Sequence, residues 1–146
     1  MPLTQTQARD EMLSMLQTPI NSISPSQDQP LVLHEDKNAD VPKTPLPWCR
    51  AIVRHFSGGQ ASLSGTDGTK RYERQGTMFV QVFTISGNGL VLSDKITSTI
   101  RSGFEGSNSE SPGGVWFRDV HVEEVGSDGS WFQSNVLIGF VYDEFR

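Results

Sequence analysis

Residues 129–145, GSWFQSNVLIGFVYDEF, alternate in a way that an ordinary surface strand does not. Successive side chains of a strand point to opposite faces of its sheet. Phe132, Val136, Ile138, Phe140 and Tyr142 therefore share one face, and Trp131, Leu137 and Val141 share the other. A half-exposed antiparallel strand keeps one face apolar and the other polar. Here both faces are apolar, and both need a cover.

The same reading along the chain yields a short series of elements. Thr4-x-x-Gln7 has the form of a capping box, and Ala8, Met12, Met15 and Leu16 follow at helical spacing. This predicts a helix over 4–17, stopped by Pro19. Six of the eight prolines fall in 18–47. That segment is expected to be extended, with one short strand at Leu31–His34. WCRAIVRHF (48–56) reads as a strand with Trp48, Arg50, Ile52 and Arg54 on one face and Cys49, Ala51, Val53 and His55 on the other. The polar, glycine-rich 57–76 reads as a long hairpin loop leading to TMFVQVFTI (77–85), a second strand.

SGNGL (86–90) turns the chain into a helix whose apolar stripe is Leu92, Ile96, Ile100 and Phe104, ending at Gly103 or Gly106. A glycine- and serine-rich connector (102–114) leads to strands at 115–125 and 131–142, joined by the turn GSDGS (126–130). The order is helix, extended arm, strand, strand, helix, strand, strand. It predicts one α+β domain over 1–146, a mostly antiparallel sheet with two helices packed on it. One face of strand 131–142 is expected to meet the helix at 90–104. The other is left for the N-terminal helix or for a neighbouring subunit.

Charge sharpens the second possibility. The chain carries a net charge of −5, unevenly spread. Residues 1–40 hold two basic and six acidic side chains, residues 41–101 eight and three, and residues 102–146 two and eight. Solvation alone accounts for such asymmetry in many proteins, but a subunit with a positive and a negative flank also favours head-to-tail self-association. Overall acidity argues against tight binding of nucleic acid. The N-terminus lacks the pattern of a secretory signal, and no apolar run is long enough for a membrane helix. A single cysteine, Cys49, excludes an internal disulfide and a cysteine-built metal cluster. These features read as a soluble protein made in a reducing cytoplasm.

Catalytic chemistry is not advertised. His34, His55 and His121 are far apart in sequence, and no zinc-protease, CxxC, GxSxG or P-loop pattern occurs. The Gly87–Gly89 pair before a helix more simply makes a turn than a phosphate site. Glu123–Glu124 and Asp143–Glu144 are neighbours along strands, so each pair splits between two faces and forms no acid–base dyad. Lys70, Arg71 and Arg74 make the densest basic cluster, with Tyr72 as its one stacking platform. No catalytic, cofactor-binding or metal-binding residue is assigned, and no enzymatic activity is expected.

From Trp48 to Phe145 the order of motifs resembles the tail terminator, or tail-completion, proteins of long-tailed, lambda-like bacteriophages. The matching stretches are PWCRAIVRH, QASLSGTDGTKRYERQGTMFVQVFT, GNGLVLSDKITSTIRSGFEG and VWFRDVHVEEVGSDGSWFQSNVLIGFVYDEF. The closing Trp-Phe-Gln-Ser-Asn-Val with Tyr-Asp-Glu is the most distinctive piece, whereas 18–47 departs from the pattern. The resemblance implies a small α+β subunit that forms a ring, expected to be a hexamer. Such a ring caps the tail tube at the head-proximal end of the virion tail, stops polymerisation and offers a surface to the head connector. Its partners would be copies of itself, the major tail tube protein and a connector or neck protein, with DNA only passing through the lumen and no membrane. Positive interface candidates are Arg50, Arg54, Lys70, Arg71 and Arg74. Negative ones are Glu123, Glu124, Asp128, Asp143 and Glu144. A head-side neck protein, or a small ligand-binding domain or enzyme, are the alternatives.

Overall fold

A computed structural model describes residues 4–34, 46–60, 70–87, 89–106 and 114–145. Helix α1 spans Gln5–Asn21, followed by a single 3₁₀ turn at Ser26–Asp28 and by strand β1 at Leu31–His34. Strands β2 (Trp48–Gln60) and β3 (Arg71–Ile85) precede helix α2 (Val91–Phe104), and β4 (Trp116–Asp128) and β5 (Trp131–Phe145) follow it. The five strands form one sheet in the order β1-β2-β3-β5-β4, antiparallel throughout except for the β1–β2 pair. The fold is α+β, as the element order predicts.

The capping box at the start of α1 is present in both directions. Gln7 N–H donates to Thr4 Oγ1 at 3.2 Å, and Thr4 N–H donates to Gln7 Oε1 at 3.0 Å. Pro19 does not stop the helix, which runs on to Asn21. Proline within a helix removes one hydrogen bond and crowds the preceding turn. The last turn persists because Ile20, fourth in the stripe Ala8, Met12, Leu16 and Ile20, is buried like the others. Pro19 itself lies against α2, where a Cβ added to Gly103 would stand 2.9 Å from the proline Cγ. Gly103 lets the C-terminal turns of the two helices touch.

Both helices lie on the same side of the sheet, in one core with Cys49, Ala51, Val53, Met78, Val80, Val82, Val136, Ile138, Phe140 and Tyr142. This answers the two-faced pattern of the last strand and corrects part of its reading. α1 joins α2 over the first face of β5 and leaves the second face alone. The physical reason lies in the helices themselves, since α1 buries its single stripe against α2 and the core.

The long loop is also corrected. Residues 57–60 and 71–76 are not loop but paired strand, with Gly58 opposite Arg74 and Gln60 opposite Tyr72. Their polarity misled because the ladder there is held by backbone hydrogen bonds and cross-strand pairs rather than by burial. What connects the two strands, 61–69, lies outside the described residues, as do 35–45 of the proline-rich segment and 107–113 of the connector. The 15 residues of β3 span ~50 Å, against ~21 Å for the 14 residues of α2. The central strands are therefore longer than α2, and beyond the start of β4 they pair as a three-stranded ribbon of β2, β3 and β5.

Candidate functional site

Among the described residues no helix or strand covers the second face of the sheet, and that face is richer in apolar side chains than a solvated surface. Ile52, Phe79 and Leu137 lie side by side across β2, β3 and β5, each half-buried. Toward the end of the sheet that holds the β4–β5 turn, Trp48 stacks on Phe83 with ring centroids 4.1 Å apart and planes 11° from parallel. Trp131 meets Trp48 edge-on at 6.0 Å, and the Arg50 guanidinium lies 5.6 Å over the same indole. Patches of this kind mark interaction surfaces more often than solvent-facing sheet.

A trough crosses this face. The ladder is bulged between His55 and Ser57 in β2 and between Arg118 and His121 in β4. These bulges align with Gly76 and Gly139 in the two strands between them. A Cβ on Gly139 would approach the Arg118 carbonyl oxygen to 2.7 Å, and one on Gly76 would collide with the Arg54 carbonyl and the Phe140 ring. Asp119, in the β4 bulge, takes a left-handed φ of 55°, a conformation aspartate tolerates better than most residues. The result is a cavity of about 380 Å³ lined by Phe56, Gln75, Thr77, Arg118, His121 and Leu137 among others.

The interface candidates named from sequence divide into two sets. Four are brought together within one chain, stapling the ribbon. Arg71 Nε stands 2.9 Å from Asp143 Oδ2, and Arg74 Nη2 stands 3.6 Å from Glu144 Oε1. Arg74 also lies 5.3 Å over the Tyr72 ring. An exposed cross-strand pair such as Arg71–Asp143 contributes ~0–1 kcal/mol, whereas the side chains of Arg74 and Glu144 are mostly shielded from solvent. Lys70 sits just before β3. The others are spread across the sheet. Arg50 and Arg54 are on the open face of β2, while Glu123, Glu124 and Asp128 are on edge strand β4. Glu123 Oε1 is 3.6 Å from His121 Nε2, and both side chains are exposed.

Topology turns the uneven charge of the sequence into a gradient in space. β2 carries Arg50 and Arg54 with no acid, a net of +2, and β3 carries Arg71 and Arg74 against Glu73, a net of +1. β5 carries Asp143 and Glu144 with no base, a net of −2, and β4 carries Asp119, Glu123, Glu124 and Asp128 against Arg118, a net of −3. In sheet order the strands from β2 to β4 read +2, +1, −2, −3, with histidines neutral.

One polar pair escaped the sequence reading. On the covered side, His55 Nε2 and the Tyr142 hydroxyl are 2.8 Å apart, and the His55 ring stands edge-on to both Phe140 and Tyr142, which stack on each other with planes 20° from parallel. Burial lowers the His55 pKa below its ordinary 6.5, Arg9 and Arg74 push the same way, and Glu144 opposes them. Burial, and then Glu144, raise the Tyr142 hydroxyl above its ordinary 10. The alternation of β2 puts His55 beside Val53 and Ala51, but a strand pattern alone cannot say which strand lies opposite. The glycines within strand patterns were the available signal for the trough. Cys49 is buried, and its thiol is pushed up to about 12, which keeps it a packing residue. Among the described residues no group of three or more His, Cys, Asp or Glu is placed to hold a metal, and no described helix is long and apolar enough to cross a membrane.

No protein-family model matches the chain, and no curated protein matches it. A search of solved structures finds the fold. One chain, known by a sequence identifier that states no activity, superposes with a TM-score of 0.71 over 99% of this chain and 98% of that one, at 15% identity. At that identity the likeness shows shared architecture and nothing about what either protein binds.

Proposed function

We propose that this chain is a structural subunit, not an enzyme, that forms a ring closing the tail tube of a long-tailed bacteriophage. The ring ends tube polymerisation at the head-proximal end of the tail and offers the surface on which the head connector docks. The observation that carries the reading is the lateral charge gradient across a sheet whose second face is apolar and uncovered. A closed ring uses a heterologous contact, in which one side of each subunit meets the other side of the next. A sheet running from +2 on β2 to −3 on β4 is suited to such a contact. The long ribbon of β2, β3 and β5 supplies reach along the tube axis, and the motif order from Trp48 to Phe145 supplies the link to tail terminators. Six copies is the number that this resemblance implies.

The test is a stop codon placed early in the gene, followed by electron microscopy of the particles released. Overlong, irregular tails without heads are expected. Tails of normal length beside unattached heads would move the protein to the neck, and intact infectious particles would end the structural reading.

A further inference from the structure

The seven large apolar side chains that stand exposed among the described residues are not scattered. Leu31, Leu46 and Phe56 lie in or beside β1 and β2, Trp116 and Val125 lie on β4, and Leu90 and Val91 lie at the start of α2. Five of the seven therefore belong to the outer strands of the sheet or stand beside them, with Phe56 and Trp116 turned onto the open face, where Phe56 lines the trough and Trp116 a smaller hollow beside Arg71 and Val141. Each flank combines apolar side chains with charge of one dominant sign. Arg50 and Arg54 accompany Leu31, Leu46 and Phe56, whereas Glu123 and Glu124 accompany Trp116 and Val125, with Arg118 as the exception beside Asp119.

The edges themselves are poor templates for continuing the sheet. β1 is four residues long, and β4 is interrupted by bulges between Arg118 and His121 and between Glu124 and Gly126. Bulges and short edge strands blunt edge-to-edge pairing. Beyond Ala51, β2 pairs only with β3, and that edge is broken by the bulge between His55 and Ser57. Two flanks that are complementary in charge, each with exposed apolar groups and each with an interrupted edge, fit each other by side-chain packing.

We infer that the β4 flank of one copy docks on the β1–β2 flank of the next, through side chains and not through a continuous ladder, with Val125 and Trp116 set against Leu31 and Phe56 and Glu123, the glutamate of β4 on the open face, toward Arg50 and Arg54. This rests on the ring reading and names its contact. The occupant is a second copy because the complement of each flank is present on the same chain. Contact of one flank with its opposite, never with itself, also makes the assembly heterologous.

Charge exchange tests it. The variant Arg50→Glu/Arg54→Glu makes both flanks acidic, and Glu123→Lys/Glu124→Lys makes both basic. Sedimentation of purified protein should show each variant alone assembling at least ~tenfold more weakly than the wild type, because like charges then oppose across the contact. An equimolar mixture of the two should restore assembly, which a folding defect in either variant would not permit. Self-assembly of either variant at wild-type strength, or a mixture no stronger than its parts, overturns the inference.

Cysteine pairing gives an independent readout, since native Cys49 is buried. Leu31→Cys/Val125→Cys should give a ladder of trimers and larger species on oxidation. The control Val91→Cys/Val125→Cys should not, and neither single variant should exceed a dimer background. Equal ladders from control and test pairs would likewise overturn it. Normal tail capping by charge-exchanged chains that no longer assemble would end this contact and leave the capping reading standing. Rings with these contacts that fail to end tails would do the reverse.

Discussion

The two faces of the sheet are built from the same four long strands and differ in what covers them. On one face Val53, Met78, Val80, Val82, Val136 and Ile138 are buried beneath two helices. On the other Ile52, Phe79 and Leu137, one residue along in each strand, are only half-buried. Side-chain chemistry does not separate the two sets, since both are aliphatic or aromatic. What differs is that α1 and α2 pack against each other as well as on the sheet, so together they cover one side. Apolar residues left over on an uncovered face are a cost to a solitary subunit, and the chain keeps a row of them beside a charge gradient. The comparison teaches that the folding core and the interaction surface of this protein are the two sides of one sheet, one residue apart in sequence.

Stability measurements can break that comparison. Ile138→Ala, beneath the helices, should cost about 2–5 kcal/mol of unfolding free energy, whereas Leu137→Ala should cost about 1 kcal/mol or less. Urea midpoints of the two variants check this, and equal losses would mean that both faces are covered in the isolated chain. Gly76→Ala should cost an intermediate 1–3 kcal/mol or so, because its methyl has no room between the Arg54 carbonyl and Phe140.

A pH series sharpens the covered side. Because the folded protein holds His55 below its ordinary 6.5, the unfolded chain takes up a proton that the folded one refuses. Stability attributable to neutral His55 is therefore complete above pH ~6.5 and falls as the pH is lowered through that value. Unfolding midpoints measured between pH 7.5 and 5.5 should fall less steeply in His55→Gln than in the wild type. The smallest effect concerns Cys49. A thiol reagent at pH 8 should leave it unmodified in native protein and label it fully in urea, and rapid native labelling would show that the core opens near β2.

Much of this architecture is legible in the sequence because it is local. The Thr4–Gln7 capping box and the stripes Ala8–Met12–Leu16 and Ile96–Ile100–Phe104 each rest on spacing within one helix, and they stand as read. Leu31–His34 is a strand with the bounds expected. The failures share a different cause. Pro19 lies inside α1 because Gly103, 84 positions later, makes room for it, and no local pattern carries that. Residues 57–60 and 71–76 look like loop because a polar ladder is visible only when its partner strand is known. The apolar second face of β5 was plain, but its cover depends on which side of the sheet α1 takes. The candidate charges divide in the same way. The basic middle and acidic end of the chain were legible, and the strand order β2-β3-β5-β4 arranges them into a lateral gradient. The pairing of Arg71 and Arg74 with Asp143 and Glu144 in one chain needed the β3–β5 register.

The most direct test of the account is complementation of the early stop codon with chains altered on the open face, read by tail length in electron micrographs. Ile52→Glu and Leu137→Glu, first shown by circular dichroism to be folded, should leave overlong tails without heads, while wild-type chain restores particles of normal length. Normal, infectious particles from both variants would mean that the open face is merely solvated, and the account would fail.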